Sequence, residues 1–131
     1  MASRGLAYVA LQRGQVERAA ALGLESLLIH RERRDAWGLA ASLAVSAALA
    51  VVRGQAERAA RLYGAAAAQL ATTARLAGNV HGRHRYPHDQ AEQERYIAIL
   101  HTQLDEATFN AAWEAGRTLT LEQAIELALE T

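Results

Sequence analysis

Between Gly78 and Asp89 the chain gathers His81, Arg83, His84, Arg85 and His88. Three imidazoles with Asp89 as a fourth donor are a set that zinc accepts in a tetrahedral shell. Arg83 and Arg85, helped by protonated histidines, would instead suit an anion or a phosphate-like group. Gly82 and Pro87 interrupt the helix that would bring this spacing onto one face, so the segment also reads as a solvated connector. No other grouping has the makings of a reaction centre. No serine or threonine has a histidine and an acid in a recognisable triad order, and Glu122 and Glu126, one turn apart, read as solvated charges on a helix face. The chain is therefore expected not to be an enzyme and to need no cofactor. Two aromatics remain as candidates for recognition: Tyr8 and Trp37 either face a groove that receives a peptide or small ligand, or plug gaps in the core. Phe109 and Trp113 read as core.

The elements that must carry these residues are helices. About a quarter of the 131 residues are alanine, the strongest helix former, and Pro87 is the only proline. β-Branched residues are too scattered for strands, so the fold class is all-α, within one domain over residues 1–131. Lysine is absent, and the fourteen arginines balance fourteen acids. Residues 1–77 hold ten arginines against five acids and residues 78–131 four against nine, a net +5 facing a net −5. Such an asymmetry favours docking of one half on the other, or of one subunit on the next, and leaves no uncancelled basic stripe for nucleic acid. Direct nucleic-acid binding is not expected. Cysteine is absent, which suits a cytoplasmic setting, and no signal peptide is legible at the N-terminus. Ala36 to Val52 is uncharged throughout; at seventeen residues it approaches a membrane span but is rich in Ala, Ser and Gly, and it reads as a buried helix. The bias toward arginine and alanine resembles that of GC-rich bacterial genomes, a compositional association.

The strongest signal is internal. Arg13-Gly14-Gln15-Val16-Glu17-Arg18-Ala19-Ala20 returns forty positions later as Arg53-Gly54-Gln55-Ala56-Glu57-Arg58-Ala59-Ala60. A period of that size marks stacked helical hairpins. Gly14 and Gly54 supply the left-handed turns between paired helices, and Ala19 and Ala59 are the small residues at the crossings. The repeats span about 4–34 and 36–77. Gly38, Ser42, Ser46 and Ala50 form a ridge of small side chains on the third helix. A loop over 78–88 follows, then capping helices over 89–131: one opened by an Asp89/Glu92 capping box, one capped by Asp105 and stopped by Gly116, and one opened by Thr120 with Gln123. Seven helices are expected.

The motif Gly-x-x-x-Arg-Ala-Ala between apolar helices, with Gly14 and Ala19 matched by Gly54 and Ala59, resembles the tetratricopeptide repeat. Further, Gly54-x-x-x-Arg58-Ala59-Ala60-Arg61-Leu62-Tyr63-Gly64, with Phe109-x-Ala111-Ala112-Trp113-x-x-Gly116-Arg117-x-Leu119-Thr120-Leu121-Glu122 downstream, resembles the C-terminal region of large bacterial regulators. Those join a signal-transduction NTPase module to helical repeats, and often to a LuxR-type DNA-binding domain or an adenylate cyclase domain. The resemblance implies a non-catalytic sensor or interaction module that takes a protein partner or small effector, with an open end face that invites a homodimer. It carries over no phosphate-binding loop, which needs the lysine this chain lacks. Two alternatives stay open: a purely structural cap of a longer array, and a small metal- or anion-binding protein or enzyme built on residues 81–88.

Overall fold

A computed structural model of the chain describes residues 2–78 and 87–130, with side chains from Gly5 to Gly78 and from Gln90 to Glu130. Every regular element among them is a helix: α1 Ala2–Gln12, α2 Val16–Glu32, α3 Ala36–Val52, α4 Ala56–Leu76, α5 Pro87–Gln103, α6 Glu106–Arg117 and α7 Leu121–Leu129. The all-α stack of packed helices expected from the sequence is what the chain forms.

The duplicated octapeptide folds twice into one turn. Gly14 has φ 74° and Gly54 φ 77°. Each closes its helix with the same pair of backbone bonds: Gly14 N–H to Leu11 O (3.1 Å) with Gln15 N–H to Ala10 O (2.8 Å), and Gly54 N–H to Val51 O (3.1 Å) with Gln55 N–H to Ala50 O (2.9 Å). This double closure satisfies carbonyls that a helix end otherwise leaves open. The end of α2 uses the same bonds without a glycine. Asp35 N–H reaches His30 O at 2.9 Å, and the left-handed position falls on Arg34, φ 53°. A β-carbon is disfavoured there by about 1–2 kcal/mol, and the added entropy of an unfolded glycine takes back up to about 1 kcal/mol. Arg34→Gly is therefore expected to raise stability by about 0.5 kcal/mol in urea titrations; a drop would show that the arginine side chain is worth more than its backbone strain.

Caps set the other boundaries. Asp35 accepts from Gly38 N–H at 3.0 Å, Asp105 from Thr108 N–H at 2.7 Å, and Thr120 forms a full capping box with Gln123. The Thr108 bond holds the Asp105 carboxyl below the usual carboxylate range. Two expectations need correction. The fifth helix opens at Pro87, whose fixed φ suits a first helical turn, so residues 87 and 88, expected in the loop, and Asp89, expected as its cap, lie inside the helix. Its supposed capping partner Glu92 is turned inward and buried. Gly116, expected to stop α6, sits within it; the helix runs to Arg117 with Thr118 as its C-cap.

Helix α3 is the axis of the molecule. It packs against α1, α2, α4, α5 and α7, and twelve of its seventeen residues are buried, which accounts for a charge-free run with no polar face. Its small ridge meets α2. Gly38 leaves space that the His30 imidazole occupies, Ser42 hydrogen-bonds Ser26 at 2.9 Å in a buried pair, and Gly23 of α2 lies close to Val45. No helix among the described residues is long and apolar enough to cross a membrane.

The closest approach is between α4 and α6. A β-carbon on Gly64 would run into the backbone carbonyl of Trp113, and one on Gly116 into that of Arg61. The two glycines thus let two helix backbones touch. Ala59, Ala60 and Leu62 are fully buried beneath this second layer, whereas in the first copy Ala19 is buried but Ala20 and Leu22 are only half so. The same residues reach different burial because α4 is covered on a side where α2 is not.

Candidate binding cleft

The surface expected along the first helices of the hairpins is already filled. Tyr8 is 1% exposed, and its ring stacks on Tyr96 of α5 with centroids 6.5 Å apart. Leu100, one turn further along α5, is fully buried. Tyr8 is therefore a core residue and lines no open groove. Trp37 is half-buried on the first turn of α3. In the register of the repeat Tyr8 corresponds to Ala48, eleven residues along α3 from Trp37.

Glu92 pins α5 in place. The Gln12 side-chain amide of α1 donates to both of its carboxylate oxygens at 3.1 Å, and Arg95 Nη1 lies 3.6 Å away. Arg95 also stands over the Tyr96 ring at 5.5 Å. Burial pushes the Tyr63 phenol far up, with Tyr8, Tyr96 and Glu92 adding to the effect, and burial likewise raises Tyr96. These phenols stay protonated at any physiological pH, and the cluster acts as a structural latch between α1 and α5. Sequence reading missed it because Glu92 three residues after Asp89 has the spacing of a cap; the only signal was that Glu92 falls one turn before Tyr96, on the apolar side.

The other sequence candidates divide simply. His81, Arg83, His84 and Arg85 lie outside the described residues, as does the side chain of His88. Among the described residues no three metal-ligating side chains converge. Glu122 and Glu126 are exposed, and Glu122 pairs with Arg31 of α2 at 3.3 Å. Phe109 is buried between His101 and Trp113, with centroids at 4.2 and 5.6 Å.

An open cleft exists elsewhere, where α7 crosses the hairpins obliquely. Its start is tied to the end of α2 by Arg31 and Glu122. Its end is held over the start of α4 by Arg58, whose Nη2 donates to Leu127 O at 2.8 Å and Glu130 O at 2.6 Å. Those carbonyls are the open acceptors of a helix C-terminus, which a cation satisfies. Because α7 leaves α2 to reach α4, the first half of α2 is uncovered, and a wedge of about 350 Å³ opens between α2, α3 and α7. Leu27, Val45 and Leu49 form its floor, Ala21 and Leu24 one wall, Ala128 and Leu129 the other. At the mouth the two copies of the repeated motif meet, with Glu17 from the first and Arg53, Gln55 and Arg58 from the second. Nothing in the sequence pointed to this cleft, since it depends on the path of α7.

No family model, no curated protein and no solved structure matches the chain.

Proposed function

We propose that this chain is a non-catalytic protein- or ligand-binding helical-repeat module of the tetratricopeptide kind, working in the cytoplasm as the sensor or interaction end of a bacterial transcriptional or signalling regulator. The observation that carries the reading is the unequal finish of the two ends. Outward from α6 stand Glu106, Asn110, Glu114 and Arg117, a polar surface of the sort that terminates a stack. On the first hairpin, by contrast, Leu6, Val9 and Leu28 are each more than 40% exposed, as is Leu24 at the cleft; on the second hairpin exposure of large apolar residues is confined to Val52 and Leu76 at the ends of α3 and α4. Large side chains left in water on one hairpin are what a partner surface looks like, and a second copy of the chain is the simplest occupant.

Sedimentation velocity over a wide concentration range tests this. The chain is expected to self-associate, and Leu6→Glu with Leu28→Glu to leave it monomeric with unchanged helicity. A wild-type chain that stays monomeric and inert would favour the purely structural cap, a reading that the filling of the first-helix groove by α5 supports.

A further inference from the structure

We propose that the wedge between α2, α3 and α7 is a binding site for a small amphipathic carboxylate, whose apolar chain lies over Leu27, Val45 and Leu49 and whose carboxylate sits on Arg53. The inference rests on the reading of the chain as a recognition module and adds a ligand class to it. A volume of about 350 Å³ is at the small end of the range for ligand sites. Leu24 is 47% exposed although it lies against this cleft, so the wall offers apolar area that a ligand would take out of water. Beside the four charged residues Glu17, Arg53, Arg58 and Glu130, the lining is apolar except for Ser46 and Gln55. A ligand polar along its whole length would find no partners over Leu27, Val45 and Leu49.

The head group follows from the mouth. Arg53 Nη2 lies 3.5 Å from the Glu17 carboxylate, and the Glu17 side chain is 91% exposed. Glu17 thus marks where a carboxylate rests on Arg53, in a solvent-exposed pair worth little by itself. A ligand carboxylate exchanges for it at small cost, while its chain gains burial that Glu17 cannot. Arg58 is held by the α7 carbonyls and adds positive potential beside Arg53. Glu17 and Glu130, both at the rim, oppose a second negative charge, so the fitting ligand is a monoanion.

Titration calorimetry with decanoate, decanol and decyltrimethylammonium, each below its micelle-forming concentration, decides the matter. Decanoate is expected to bind about two- to fivefold more tightly than decanol, the size of one exposed ion pair, and the cation to bind no more tightly than decanol. Arg53→Gln should bring decanoate down to the level of decanol. Ala21→Trp, an exposed position on the wall, should block both, with Leu24→Asp as a second block and circular dichroism confirming that each variant is helical. The proposal is overturned by a silent decanoate titration, by a preference for carboxylate that survives Arg53→Gln, or by full binding in both blocked variants. Silence together with intact self-association would remove the ligand site and leave the recognition module standing.

Discussion

Gly116→Ala is expected to destabilise the protein by about 3 kcal/mol, the upper end for overpacking, and to lower the melting temperature by roughly 10 °C. The new methyl would land on the Arg61 carbonyl oxygen, and backbone, unlike a flexible side chain, cannot swing aside. Helix α6 must then move off α4 as a unit, which loosens the packing around buried Phe109 and Ala112. The figure is net of helix propensity, since alanine in place of glycine favours a helix interior by about 1 kcal/mol. Gly5→Ala supplies the control. A β-carbon at Gly5 of α1 meets nothing within 4 Å, so that change is expected to stabilise by about 0.5–1 kcal/mol. Thermal melts of the two variants should move in opposite directions. A neutral Gly116→Ala would mean that the α4–α6 crossing tolerates a wider separation than its geometry implies.

The second large effect is expected at Leu100→Ala, at about 2–5 kcal/mol. Leu100 is fully buried and lies one turn beyond Tyr96, so its loss leaves a void under the helix that fills the first-helix groove. Among the described residues, ties that still join α5 to α1 include the Tyr8–Tyr96 stack and the Gln12–Glu92 bonds. Hydrogen exchange should consequently accelerate across residues 87–103 more than across α3 and α4, because local opening costs less than global unfolding once the anchor is gone. Uniform acceleration would instead place α5 in the same cooperative unit as the hairpins.

How far the residues foretold these features depends on the range of the interactions involved. The turns at Gly14 and Gly54 were legible because a left-handed backbone position and its closing bonds involve five or six consecutive residues. The caps at Asp35, Asp105 and Thr120 were legible for the same reason. The α3 ridge was legible as a row of small residues, although only the packed structure shows His30 and Ser26 of α2 using it. Glu92 failed as a cap because two local signals competed, and Pro87, three residues before the turn expected to open the helix, started it first. Gly116 was misread because a glycine near a helix end has the same appearance whether it stops the helix or admits a neighbour.

By itself the sequence determined that the described residues form only helices, seven of them, and that two of the hairpins turn alike, since propensity, capping and turn closure act over a few residues. The tertiary structure alone decided that α5 lies on Tyr8, that α6 presses its backbone onto α4, and that α7 strays from α2 to leave a cleft. Each of those outcomes is a contact between side chains or backbones about fifty to ninety residues apart. No periodicity in a single helix specifies which of several apolar faces it will meet, because burial is non-directional and rewards any close fit.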